Sequence, residues 1–311
     1  MNPLPMLCAV LLAAFGLSTL LLASLVALVW RAGLNRLLAA PADLLALRLF
    51  PAAAGLLIAI TVVLPAFLTY EPSRDHEAVG PLLVILATFA LLTVGHGVWR
   101  GWRSYATARS LLRKLGPPRR WVIENGQTVR VVDVAEPIVG VIGGWQPQVV
   151  IAECIASACC ADEFRQVIAH EAAHVSARDN LKLLLLLASP DALAWTPLGA
   201  ALTERWRTAA EFAADQHATG DDPHRRVALA SALIKVARLF NTGDHARPTL
   251  MMPVALDDVA GRVRLLLGPS QAVPTTITWG LASCALLLPV TALPLYALVH
   301  ELIEVLVRFG L

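Results

Sequence analysis

Residues 167–179 read VIAHEAAHVSARD, and the run His170-Glu171-Ala172-Ala173-His174 at their centre decides how the rest of the chain is read. The two histidines stand at i and i+4, so on a helix both rings leave the same face. Two imidazoles one turn apart can grip a single zinc ion at about 2.0–2.1 Å. Glu171 follows the first histidine directly. From there it can reach a water beside the metal and take its proton without ligating the metal itself. Ala169, Ala172 and Ala173 favour helix. Val167 and Ile168 add an apolar flank, so the helix is expected to be largely buried. The plain alternative is a helix with two ordinary histidines. It is disfavoured because a buried helix seldom carries His, Glu and His without partners or a metal to satisfy them. A second stretch, HELIE at residues 300–304, lacks the second histidine and is set aside.

A catalytic zinc needs a third protein ligand and one open position. Val175, Ser176, Ala177 and Arg178 follow His174 with no further GxxH, so the ligand must come from another helix. Residues 205–218 read RWRTAAEFAADQHA, a helical stretch with Glu211 and Asp215 at i and i+4. Glu211 is the expected third ligand. Asp215, one turn on, can accept the free N–H of a liganding histidine and fix its tautomer. The alternative for this pair is a solvated acidic face. His217 is a rival ligand, but at about 100° per residue it points away from the Glu211 face. Asp179, at the end of the first helix, is expected to play a structural part, anchoring the helix terminus or a neighbouring basic group. For the group that stabilises the oxyanion, His217, His224 and Arg226 are the candidates.

Composition places this motif in a membrane protein. Of 311 residues, 57% are hydrophobic and only 15% charged, where a soluble domain carries roughly 25% charge. The mean hydropathy is +0.64. Four runs can cross about 30 Å of hydrocarbon: residues 5–30, 50–70, 81–99 and 277–299. No basic segment precedes the first run, so a cleavable leader is not expected. Arg31, Arg36 and Arg48 follow the first run, Arg74 alone lies among acids after the second, and Arg100, Arg103, Arg109, Arg113, Lys114, Arg119 and Arg120 follow the third. That bias puts the N-terminus outside and the long third connection inside. The spans carry few charges, His96 excepted, which argues against a transport pathway. The net charge of +2 is too small to suggest nucleic acid. The five cysteines show no paired framework and read as buried thiols.

The expected organisation is a three-span region at 1–99, a cytoplasmic domain at 100–276, and a fourth span with a short tail at 277–311. Within the domain, residues 128–133 and 147–151 have the β-branched content of strands. Gly140, Gly143 and Gly144 between them mark a turn or a close backbone approach. Residues 149–151 are read as an edge strand that could pair with an extended substrate. Ser157 or Asp162 is the expected cap of the helix that holds His170. Residues 183–202 are apolar but interrupted by Pro190, Asp191 and Pro197, and are read as a helix hairpin at the membrane surface.

VIAHEAAHVSARDN, followed by WTPLGAALTERWRTAAEFAAD and preceded by PIVGVIGGWQPQVVIAE, resembles the BlaR/MecR-type membrane zinc metallopeptidases, gluzincins related more distantly to the HtpX and CAAX-prenyl endopeptidases. The resemblance is strongest over residues 135–220. It implies a mainly α membrane protein, with an α+β zincin-like metallopeptidase domain between spans three and four. Carried over, His170, His174 and Glu211 match the zinc ligands, Glu171 the catalytic glutamate and Asp215 the supporting acid. The antibiotic sensors continue into a penicillin-binding domain after the last span, whereas this sequence runs only to Leu311, so β-lactam sensing by that route is not expected. The substrate implied is a cytoplasmic protein, typically a transcriptional repressor, and the localisation a multi-pass inner-membrane one. The alternatives are an HtpX-like quality-control protease and a non-catalytic signalling protein that keeps the zinc fold.

Both helices that carry the candidate ligands must lie on one side of the membrane. Reporter fusions after Gln127 and after Gly220 are therefore expected to behave alike and as cytoplasmic. A periplasmic signal from either would overturn the topology, and opposite signals would overturn the shared metal site as well.

Overall fold

Nothing charged interrupts the chain before Arg31, and residues Leu4–Arg31 form the single helix α1. The structure, a computed structural model, describes residues 4–33, 40–70, 80–124, 126–241 and 259–269. Helix α2, Pro41–Ile58, starts with proline in its first turn, where the missing N–H costs nothing. It runs on through a π-helical turn at Ala59–Val63 into α3, Leu64–Tyr70. Pro65 has no N–H to donate, and the wider turn directly precedes it. Helix α4 covers Pro81–Lys114. Three helical stretches are long and apolar enough to cross a membrane: Leu4–Arg31, Pro41–Thr69 and Pro81–Lys114. The second begins nine residues before the expected 50, and the third outlasts the expected 99. The expected fourth span and the HELIE stretch lie outside the described residues.

Contacts divide the described residues into two compact units, the first holding residues up to Arg100 with Leu186–Thr203, the second Gly101–Leu185 with the described residues between Glu204 and Pro274.

The first unit corrects two expectations. Charges are buried within it: Asp43, Arg48 and Asp191 are each at most 1% exposed. Arg48, read from sequence as a loop residue, lies in α2 and donates to Asp191 at 2.6 Å. Ser189 and the amide of Ala194 also donate to Asp191. The hairpin around Asp191 packs against α1 and α2, with Leu193 and Leu202 buried beside Ala23, Val26 and Leu47. The close turn requires Gly199, where a Cβ would meet the carbonyl of Leu193 at 2.1 Å.

The second unit is built on a small mixed sheet. Its strands are β1 (Arg120–Glu124), β2 (Gln127–Val132), β3 (Val139–Ile142) and β4 (Gln148–Ala152), in the order β1-β2-β4-β3. β2 and β4 are parallel, and the outer pairs antiparallel. β4 is therefore internal, and residues 149–151 are not an edge; among these strands β1 and β3 are. The reason is visible in β4 itself, where Val149, Val150, Ile151 and Ala152 are all buried, as in a strand covered on both faces. Ala108 of α4 and Leu115 just after it pack on one face. The other face carries the main core, where Val129, Val131, Val149 and Ile151 meet Ile155, Val167, Ile168 and Leu233. These come from α5 (Glu153–Ala158), α6 (Ala161–Ala177) and α9 (Pro223–Asn241). Each such side chain contributes about 1.5–3 kcal/mol on full burial. The unit is completed by α7 (Asp179–Ala188), α8 (Pro197–Thr219) and α10 (Val259–Leu267), of which α7 and α8 continue into the first unit.

The cap of α6 is Cys160, not Ser157 or Asp162. Its amide donates to Glu163 at 2.8 Å in a capping box. Glu163 also accepts from Lys235 and Ser231, both at 2.6 Å, and so ties α6 to α9. Burial alone would raise the Glu163 carboxyl, but these hydrogen bonds outweigh it and hold it at about 2.

A carboxyl held low when folded contributes stability above its unfolded pKa, and that contribution is lost as pH falls toward the folded value. Lys235→Met is expected to lower the melting temperature near neutral pH by a few degrees. Its deficit against the wild type should shrink between about pH 4.5 and pH 2. A pH-independent deficit in thermal scans would show that Lys235 acts through packing instead.

Candidate metal centre

Helix α6 sets His170 and His174 on one face, both buried. The helix stops at Arg178, which takes left-handed backbone angles (φ 54°), a conformation that costs a residue with a side chain roughly 1–2 kcal/mol. That turn starts α7 at Asp179 and brings its carboxylate back against α6. Asp179 Oδ2 lies 2.8 Å from His174 Nδ1, and Lys182 Nζ lies 3.2 Å from its other oxygen. Helix α8 supplies the matching group for the first histidine: Asp215 Oδ1 lies 2.9 Å from His170 Nδ1. Glu211, one turn earlier, places Oε2 3.4 Å from His170 Nε2 and Oε1 3.5 Å from His174 Nε2.

These contacts fix the tautomers. With His174 Nδ1 hydrogen-bonded to Asp179 and His170 Nδ1 set against Asp215 at 2.9 Å, each Nε2 is left to present a lone pair, and the two Nε2 atoms are 3.1 Å apart. Two lone pairs facing at that distance repel unless a positive charge lies between them. A proton can serve: burial alone would lower the His174 ring, but Asp179 and Glu211 outweigh it and push it up to about 10. A metal ion can serve as well. The ligand atoms of His170, His174 and Glu211 all lie within 4.8 Å of one another, and two imidazoles with a carboxylate are a donor set that suits zinc. The residues fit such an ion, whose binding would displace the proton.

Glu171 is 3% exposed. Burial, with the nearby Glu211 charge adding to it, raises its carboxyl above the usual range. That is the direction that suits a proton acceptor working near neutrality.

Of the residues singled out from the sequence, the structure brings together His170, Glu171, His174, Glu211 and Asp215. It changes three other readings. Asp179 does hold basic groups, but one of them is His174 itself, which makes it part of the site. His217 and His224 are exposed, and Arg226 closes the C-terminus of α10 by donating to the carbonyls of Leu265 and Gly268. None of these three was found at the site. The cation that is there is Arg262 of α10, 1% exposed. It donates from Nε to Asp215 Oδ2 at 2.7 Å and from Nη2 to Oδ1 at 2.6 Å. Its Nη1 forms an ion pair with Glu211 Oε2 at 2.6 Å. Burial and the two carboxylates act on it in opposite senses, and the carboxylates prevail, raising its pKa. Nothing in the sequence around Arg262 distinguishes it from Arg264 two residues on.

A family model described as BlaR1 peptidase M56 matches residues 72–266, a stretch that takes in every side chain of this site. No curated protein and no solved structure matches the chain.

Glu211→Ala is expected to lose most of the bound zinc, because two imidazoles alone hold it weakly, while His217→Ala keeps full occupancy. Metal analysis of both purified proteins checks this. Full zinc in Glu211→Ala would place the third ligand elsewhere.

Proposed function

The chain belongs to the BlaR1 peptidase M56 family, and from that premise we propose that it is a membrane-bound, zinc-dependent endopeptidase acting on a cytoplasmic protein. The observation that carries the reading is the convergence of His170, His174 and Glu211 around one point, with Glu171 beside them on α6.

His170, His174 and Glu211 would hold the ion, and Asp215 and Asp179 keep the two rings turned toward it. A zinc ion bound there would supply Lewis acidity, polarising the scissile carbonyl and making water a better nucleophile. Glu171 takes the proton of the attacking water. It then gives that proton to the leaving amine as the peptide bond breaks. Its raised carboxyl makes both transfers feasible near neutral pH. Burial of the site excludes bulk water and so strengthens each of these interactions. An extended substrate can add to an open strand edge. β3 is the edge strand of the β3–β4 hairpin, and Asn180 already donates to its carbonyl at Val141 and to that of Gly143 just beyond it.

The cellular role we infer is regulatory proteolysis, with a transcriptional repressor as substrate. It rests on the family resemblance and on the charge bias that favours a cytoplasmic site. The three apolar helices support a multi-pass membrane location.

Glu171→Gln removes the proton acceptor and no ligand. It is expected to keep zinc and to lose peptide-bond cleavage by at least about 10²-fold. Turnover of an unfolded protein substrate, measured in detergent beside the zinc content, checks this. Wild-type turnover would remove Glu171 from the mechanism, and loss of zinc would mean that it is a ligand. Comparison of cytoplasmic fragments in cells carrying wild type or Glu171→Gln then identifies the substrate.

A further inference from the structure

We propose that Arg262 is a positioning residue that makes Glu211 present a single carboxylate oxygen to the metal. The inference rests on the reading of His170, His174 and Glu211 as ligands.

The argument begins with the fork on Asp215. Nε and Nη2 of Arg262 donate to the two oxygens of that carboxylate at 2.7 and 2.6 Å. A bidentate pair of this kind fixes the plane of the guanidinium as well as its position. The remaining corner, Nη1, is thereby set 2.6 Å from Glu211 Oε2. Charge on that oxygen is engaged by the cation. Oε2 lies 3.4 Å from His170 Nε2 and Oε1 3.5 Å from His174 Nε2, so both oxygens face the rings, and Arg262 Nη1 contacts Oε2.

The consequence for coordination is direct. A hydrolytic zinc site works with three protein ligand atoms and one open position for water. A glutamate free to rotate can supply both of its oxygens, and the second would occupy the place the water needs. Holding Oε2 to a buried cation leaves the open position open. The same guanidinium keeps Asp215 against His170, so one side chain orients two of the groups that define the centre. It also offsets two buried carboxylates, and Glu211 is held well below the ordinary carboxylate range despite its burial, with Arg262 the largest cause after burial.

A lysine could supply the charge but not the fork, because its ammonium is a point charge without a plane. This separates positioning from neutralisation. The full-length protein in detergent is loaded with Co²⁺ in place of zinc, and its visible absorption is recorded for the wild type, Arg262→Met and Arg262→Lys. In both variants the metal content is expected to stay at the wild-type level. The visible bands should lose intensity several-fold, the signature of an added ligand, and kcat should fall by about 10–100-fold with KM little changed. If Arg262→Met does not fold, Arg262→Lys keeps the charge and carries the test. A Co²⁺ spectrum in Arg262→Lys identical to the wild type would overturn the proposal and leave Arg262 a neutralising charge. A wild type that binds neither Co²⁺ nor zinc would instead overturn the ligand assignment beneath it.

Discussion

Each of the two central imidazoles gives its Nδ1 to a carboxylate, Asp215 for His170 and Asp179 for His174, and the chemistry of the site follows from where that leaves Nε2. The rings cannot turn without breaking a buried, charge-assisted contact. Their lone pairs are therefore forced toward one point, and a cation is needed there. The two carboxylates arrive by different routes. One comes from the next turn of chain, through the left-handed Arg178. The other comes from α8, and places Glu211 at the same point because it stands one helical turn before Asp215. The candidate metal centre is thus a meeting of three helices: α6 brings the two histidines, α7 the carboxylate that orients His174, and α8 Glu211 with the carboxylate that orients His170.

Such a meeting gathers buried acids, and their desolvation must be offset. Glu171, Asp179, Glu211 and Asp215 are all at most 4% exposed. Lys182 faces Asp179, and Arg262 faces Glu211 and Asp215. Removing one partner from a buried ion pair commonly costs about 3–5 kcal/mol, because the other charge is left uncompensated. α10 is a short helix, yet the position of Arg262 makes it part of the centre. Arg226, by bonding the carbonyls that end α10, supports that helix from α9. The electrostatics of the centre therefore depend on residues well outside the two helices that carry the ligands.

The legible part of the site was the part encoded in helical spacing. His170, His174, Glu211 and Asp215 all obey an i, i+4 rule that can be read without knowing the fold. Asp179 was visible as a helix-end residue, but its role depends on the backbone reversal at Arg178, which sequence does not announce. Arg262 was invisible because its partners lie 47 residues away at Asp215 and farther still at Glu211. The same limit applied to the fold. The apolar runs disclosed the three described membrane-length helices, and β-branched content disclosed β2 and β4. The short outer strands escaped, and with them the fact that β4 is internal. Cys160 carries little cap signal of its own, because a thiol is a weak acceptor; the legible sign is Glu163 three residues on.

The pairing of Arg48 with Asp191 bears on how the apolar hairpin can be reconciled with one metal site. Sequence alone set the cost of Asp191 in hydrocarbon against the length of the apolar stretch around it. The structure removes that opposition: Asp191 is fully buried, but paired with Arg48 and hydrogen-bonded by Ser189 and the Ala194 amide. A satisfied carboxylate can sit among apolar helices at far lower cost than a bare one. Burial of the hairpin therefore needs no membrane crossing to explain it. The candidate centre bears on the same point. His170 precedes the hairpin and Glu211 follows it, yet their side chains lie 3.4 Å apart. Chain that leaves one ligand and returns to another must come back to the side it left. The ion pair at its tip is what makes the burial of this hairpin tolerable.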